Sequence, residues 1–249
     1  LHLGIQDKNF LGLHFLLENC DLNLKNNEGF VPLHFVLNSG YPPHYVLALL
    51  ATLTQKGADF SIAMPHGESP LNYILSRMKR YWDYTKIDND SLILQALLEG
   101  GAVPDDSILR EAIQYKDLKL MSATIAGGAD VNAKQDGYET PLTCVLGMMN
   151  NVWNRRHRPQ LLKMAKALIE AGADVDAANT FHHIVAINDA NLVRVALNAG
   201  ADVNRVYANI RPLDVVTISN DEILRMLIRA GARVGDLCNL SRTAFFIAF

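Results

Sequence analysis

The chain has 249 residues, of which 49% are hydrophobic and 20% charged, with a net charge of −3. That hydrophobic content excludes a disordered, low-complexity chain, and a pI of about 6.2 lacks the basic excess of a general nucleic-acid binder. The longest apolar run, near Tyr45–Leu53, is about half of the ~20 residues that a membrane helix needs, so no membrane partner is expected.

Leu1–His2 reads as the tail of a first helix, and Phe15-Leu16-Leu17 as part of a second that closes at Asn19-Cys20-Asp21. Apolar helical runs then close repeatedly on one phrase: Gly57-Ala58-Asp59, Gly101-Ala102-Val103, Gly128-Ala129-Asp130, Gly172-Ala173-Asp174, Gly200-Ala201-Asp202 and Gly231-Ala232-Arg233. Glycine suits a helix C-terminus, where a left-handed residue lets the last carbonyls find donors. A second phrase opens helices: Val31-Pro32-Leu33-His34, Ser69-Pro70-Leu71-Asn72, Thr140-Pro141-Leu142-Thr143 and Arg211-Pro212-Leu213-Asp214. Ser or Thr caps a helix start, and proline at the first helical position loses no useful donor. For the short repeats the spacing predicts caps at Ser107 and Thr180, with Asp105-Asp106 as further capping residues ahead of the first.

This order of capped helix, turn, apolar helix, glycine and extended linker resembles the ankyrin repeat family, whose signature is T-P-L-H-x-A with a GAD-type ending. The resemblance covers nearly the whole chain. It implies an all-α solenoid of stacked helix-turn-helix units with short β-hairpin fingers. Repeats fall at about 25–63, 64–104, 105–132, 133–177, 178–205 and 206–235, with partial repeats at 1–24 and 236–249. The divergent, inserted repeats also look like those of ankyrin proteins secreted by intracellular bacteria. A cytoplasmic setting follows, the host-cell cytosol in that case. Cys20, Cys144 and Cys238 agree with it, since three thiols without short metal-ligand spacing read as reduced.

The residues after the closing glycines, with Cys20 as the first, are spaced by 38, 44, 27, 44, 28 and 31. The two shortest repeats have lost most of their fingers. The two long ones gain residues between their helices, around Arg77–Asn89 and Met149–Arg158. Superposition at an offset of 71 places Leu71 on Leu142, Trp82 on Trp153 and Leu97 on Leu168; after a one-residue slip, Asp117 falls on Asp189 and Leu120 on Leu192. We infer a duplicated two-repeat block, 57–127 and 128–199.

Phosphate-binding, nucleophile-elbow and metalloprotease motifs are absent, and the recurrent aspartates are explained by the turns they open, so neither catalysis nor a cofactor is expected. His34 occupies the histidine position of the family phrase, which implies a hydrogen bond between repeats. His183 is read in the same register, with His182 at the usual leucine. Adjacent histidines on a helix do not face one another, so the pair is a poor chelate and no metal is expected.

Two surfaces are candidates for a protein partner. The resemblance implies that finger tips bind: Lys25, Asn26 and Glu28; His66 and Glu68; Gln135, Asp136 and Tyr138; Arg205, Tyr207 and Asn209. Tyrosine, with apolar area and a polar tip, is the natural anchor among them. The other surface is the basic-aromatic insertions, Arg77, Lys79, Arg80 and Trp82 with Trp153, Arg155, Arg156 and Arg158. These read either as extra helix packing or as a site for an acidic protein, a phosphate or RNA. Asn132 and Asn204, in the D-V-N phrase, resemble asparagines that can be hydroxylated. The overall expectation is a monomeric, non-catalytic protein-interaction region, serving targeting or scaffolding in a longer polypeptide. Recruitment of substrate for an enzyme domain outside 1–249 is the alternative.

Overall fold

The structure is a computed structural model that describes residues 20–80, 84–134, 139–216 and 220–234. The partial repeats at either end, apart from residues 20–24, and Cys238 lie outside the described residues. The chain divides into two compact units, Leu1–Ala129 and Asp130–Phe249.

In the first unit the described residues form three helix pairs: α1 (Pro32–Asn38) with α2 (Pro43–Gln55), α3 (Pro70–Lys79) with α4 (Tyr84–Glu99), and α5 (Asp106–Gln114) with α6 (Leu118–Ala126). Within each pair the two helices pack together. The second helices then stack in the order α2, α4, α6 and the first helices in the order α1, α3, α5. Each repeat thereby buries the apolar stripe of its neighbour, which is how a solenoid acquires a core. Leu33, Leu50, Leu53, Leu71, Ile74, Met78, Leu94 and Leu97 are almost wholly buried.

The second unit repeats the scheme with α7 (Pro141–Asn150) and α8 (Arg158–Glu170), then α9 (Thr180–Ile187) and α10 (Ala190–Asn198). It ends in a 3₁₀ turn (Pro212–Val215) and α11 (Asp221–Arg229). The first helix expected from Arg211-Pro212-Leu213-Asp214 is therefore a four-residue turn, closed by the Asp214 carboxylate, which accepts the Arg211 N–H at 2.9 Å.

The closing phrase works as expected. Gly57, Gly101, Gly128, Gly172, Gly200 and Gly231 all have φ between +77° and +95°. At Gly172 the Ala173 N–H reaches back to Leu168 O at 2.9 Å and the Gly172 N–H to Ile169 O at 3.0 Å, so the orphan carbonyls of α8 are satisfied. Ser69 and Thr140 cap α3 and α7 as expected. The caps of the short repeats lie earlier than the spacing suggests. Asp105 caps α5, as expected of Asp105-Asp106 and in place of Ser107, and Asn179, not Thr180, stands at the N-cap position of α9. Only the first of these caps uses its side chain: Asp105 accepts the Ser107 N–H, whereas Asn179 makes no side-chain capping bond.

The duplicated blocks match helix for helix. Leu71 and Leu142 sit at the second position of α3 and α7; Leu97 and Leu168 are both fully buried. Asp117 and Asp189 cap α6 and α10, the first accepting from Lys119 and Leu120 N–H and the second from Leu192 N–H, with Leu120 and Leu192 fully buried behind them. The insertions are accommodated differently. The first runs α3 on to Lys79 and starts α4 at Tyr84, whereas the second forms a 3₁₀ turn (Val152–His157) before α8. Trp82 and the side chain of Trp153 lie outside the described residues.

Candidate functional site

Each finger begins where an aspartate bends the chain. The Asp21, Asp59, Asp130, Asp174 and Asp202 carboxylates each accept the N–H two residues on. In four of these five repeats the residue two on then reaches the next repeat. Asn23 accepts from Asp59 N–H, Asn132 from Asp174 N–H, Asp176 from Asp202 N–H and Asn204 from Arg233 N–H, at 2.7–3.1 Å. Asn132 and Asn204 also donate to Gly172 O and Gly231 O at 3.0 Å. The two asparagines considered for modification thus hold consecutive repeats together through both ends of their amides. Asp59 is held below its ordinary carboxylate range by the Ser61 hydroxyl and backbone N–H.

The finger tips are tight turns. At the first, the Asn26 carboxamide oxygen accepts from Glu28 and Phe30 N–H, Gly29 turns with φ +84°, and Lys25 and Glu28 are exposed. At the second, Met64 N–H donates to Glu68 O at 2.8 Å, His66 lies 3.3 Å from the Glu68 carboxylate, and Ser76 donates to the other Glu68 oxygen. Gln135, Asp136 and Tyr138 lie outside the described residues.

The finger at Arg205–Arg211 differs. Tyr207 and Ile210 form an antiparallel bridge, exchanging both backbone hydrogen bonds at 2.9 Å. The two-residue turn between them is built from Ala208 and Asn209 at φ +49° and +64°, the left-handed geometry that matches strand twist in a hairpin. Val206, Tyr207 and Ile210 are 61%, 46% and 46% exposed. Arg205 and Asn209 are exposed beside them. Val206 and Ile210 complete an apolar tip that sequence reasoning found only through Tyr207. The signal was available: three apolar residues within five, at a turn that should be polar.

Buried histidines brace two of these fingers. His34 is fully buried; its Nδ1 accepts from Val31 N–H at 3.2 Å, so Nε2 carries the proton and donates to Ile62 O at 3.0 Å. His182, not His183, repeats this role, with Nε2 2.9 Å from Ile210 O, 28 residues downstream as in the first case. The one-residue error follows from the cap: with Asn179 as N-cap, His182 stands at the third helical position, where His34 stands in α1. His183 instead meets the Asn179 amide at 2.9 Å. The His182 ring also lies 6.2 Å from that of Tyr207, and its Nδ1 is buried without a hydrogen-bond partner among the described residues.

The basic insertions are largely absorbed into the framework. Arg77 forms a two-pronged ion pair with buried Asp90 of α4, its Nε 2.8 Å from Oδ2, and donates Nη1–H to Leu37 O at 2.9 Å. It thereby joins both helices of its own repeat to the last turn of α1, where carbonyls lack helical donors. Arg158 does the same for α9, reaching Ile187 O at 2.6 Å. Lys79 pairs with Glu111 at 2.9 Å and Arg156 donates to His157 at 3.0 Å. Arg80 and Arg155 are exposed. Among the described residues no group of three or more His, Cys, Asp or Glu could hold a metal ion, and no helix is long and apolar enough to cross a membrane.

With helix pairs, glycine closures, bracing histidines and finger turns in place, the architecture is that of stacked ankyrin-type repeats. Among solved structures, the chain is similar to the ankyrin repeat domain of human ASB11 (TM-score 0.44, 19% identity, 93% of this chain and 97% of that one). It is also similar to the ankyrin repeat domain of Bcl-3, a unique member of the IkappaB protein family (TM-score 0.47, 21% identity, 92% and 96%). No family model and no curated protein matches the chain.

Proposed function

We propose that this chain is a non-catalytic module that binds another protein, acting as a targeting or scaffold region, and that the Arg205–Arg211 finger carries the contact. The observation behind this reading is the exposure of Val206, Tyr207 and Ile210 on one two-residue hairpin. Three large apolar groups at a turn tip keep about half of their surface in water, and clustered exposed apolar surface is characteristic of interaction sites.

Tyr207 is the expected hot spot, its ring tilted beside the buried His182 that anchors the finger base, with centroids 6.2 Å apart. The test is cross-linked capture of a partner from cells, followed by affinity measurement with the purified pair. Tyr207→Ala should weaken binding at least tenfold while the helical circular dichroism and melting curve stay unchanged. Equal affinity in the variant rejects the finger as the site.

A further inference from the structure

The second helices of the second unit carry a charge pattern that those of the first unit lack. α8, α10 and α11 stack in turn and hold six cations against three carboxylates. α2, α4 and α6 hold two cations against three carboxylates.

The register puts most of these cations on one face. Each helix of the second unit closes on a glycine of the same backbone geometry, Gly172, Gly200 or Gly231, with φ of +93° to +95°. The residues four, seven and eight positions before that glycine are buried in all three helices, as Leu168, Ala165 and Met164 are in α8. At 3.6 residues per turn, the residues two, six and nine positions before it leave on the opposite side. The middle position is Lys166, Arg194 and Arg225, a row of cations crossing the stack, where the first unit has Ala51, Gln95 and Ser122. Lys163 and Arg229 stand at two corners of this face, and Glu170 and Glu222 at the other two.

Arg194 and Arg225 are exposed and Lys166 is half-buried. Arg194 lies 3.0 Å from Glu222 in an exposed pair of the kind that contributes little. Lys163, Lys166, Arg225 and Arg229 have no ion pair among the described residues. With both carboxylates counted at full charge, the face still sets five cations against two.

The spacing of the row selects its occupant. Packed helices lie ~8–10 Å apart, so the stack presents one cation about every 10 Å. Two turns of an α-helix advance about 10.8 Å, and seven residues return nearly to the same side. A helix laid across the stack with carboxylates at seven-residue intervals therefore meets all three cations. An extended strand returns to one face about every 6.6 Å, and a strand of duplex nucleic acid has a phosphate every ~3.4 Å. Either would place charges between the cations and against Glu170 and Glu222. Between the cations lie the half-buried aliphatic side chains of Val195, Leu197, Met226 and Ile228, which the apolar flank of such a helix covers.

We propose that Lys166, Arg194 and Arg225 form a second contact surface, separate from the finger, which receives an acidic amphipathic helix of a partner protein laid across α8, α10 and α11.

The probe is a phage-displayed library of helical peptides three heptads long, with Ala, Leu, Glu and Lys allowed at every position, selected on the whole chain. Enriched peptides are synthesised and their affinity is read by fluorescence anisotropy. Enriched sequences should carry Glu at seven-residue intervals with Leu one turn away. Lys166→Glu with Arg225→Glu should weaken them at least tenfold, and Tyr207→Ala should leave their affinity unchanged. The same peptides with Lys in place of Glu should bind the doubly reversed variant at least tenfold more tightly than wild type. That rescue decides the matter if the variant melts earlier. Failure to enrich heptad-spaced Glu, or indifference of the peptides to charge reversal, overturns the proposal. Peptides that lose affinity through Tyr207→Ala alone overturn it and support the finger. Displacement of the peptides by an equimolar single-stranded oligonucleotide assigns the row to nucleic acid and overturns the helix as its occupant.

Discussion

The two long repeats match at an offset of 71 residues, yet they solve the same packing problem with different chemistry. Between α3 and α4, Arg77 and the buried Asp90 form an ion pair. At the matching positions between α7 and α8 stand Met148 and the fully buried Leu161. A second exchange accompanies the first. Phe60 is buried so close to Gly100 that a Cβ on the glycine would lie 2.8–2.9 Å from the ring, whereas the second block has Val131 and Ala171 at these positions. In both cases the partners change together. A large ring beside a bare glycine becomes two middling side chains, and a charge pair becomes two apolar ones. The backbone frame is thus tolerant of content but not of mismatch, as close packing and the cost of unpaired buried charge require.

The largest effect is expected from breaking the ion pair on one side. Asp90→Leu leaves Arg77 facing Leu in place of a carboxylate and should cost about 2–3 kcal/mol, below the usual cost for a fully buried pair because the Arg77 side chain is 25% exposed. Arg77→Met with Asp90→Leu installs the second block's solution and should return to within about 1 kcal/mol of wild type, despite the lost bond to Leu37 O. Urea unfolding of the three variants as a double-mutant cycle measures the coupling. Additive losses would show that the two blocks do not share a packing site.

A smaller effect is expected at the other exchanged pair. Gly100→Ala must displace a ring that has nowhere to go and should cost about 1–3 kcal/mol. Adding Phe60→Val makes room and should recover most of that loss. If the double variant is less stable than Gly100→Ala, the pair does not behave as a size exchange.

How much of this was legible in the sequence depends on the range of the physics involved. Closing glycines and the Asp117 and Asp189 caps were readable because left-handed φ and capping are local demands that few residue types meet. Asp105 was readable as a capping residue, but Asn179 was missed as the N-cap position because the neighbouring Thr180 is as good a candidate, and the choice is made by packing. The misplaced cap then moved the histidine role from His182 to His183. Arg77 was read as surface because its partners lie on another helix and in the preceding repeat. Its role was nevertheless recoverable: at an offset of 71, Arg77 falls on Met148 and Asp90 on Leu161, a paired loss of charge. The apolar finger was half legible, since Tyr207 stood out alone while Val206 and Ile210 gain meaning only once they share a hairpin.

The smallest effect concerns the first helices of the two short repeats. Burial raises the Asp105 carboxyl, but hydrogen bonds from Ser107 and Asn72, and from the backbone at Ser107 and Ile108, outweigh it and hold the group below its ordinary value. Asn179, at the same place in α9, carries no charge to lose. A carboxyl with a lowered folded-state pKa contributes stability above its unfolded value, ~3.9, and loses it as pH falls through the folded value. Asp105→Asn keeps a competent cap but removes the titration, and should cost less than about 1 kcal/mol at pH 7 because the site is partly open to water. The gap in urea midpoint between wild type and variant should be constant from pH 7 to 5 and close below pH ~4. Other aspartates titrate equally in both proteins, so the difference isolates Asp105. A gap that persists to pH 2 would mean that Asn fails as a cap for α5.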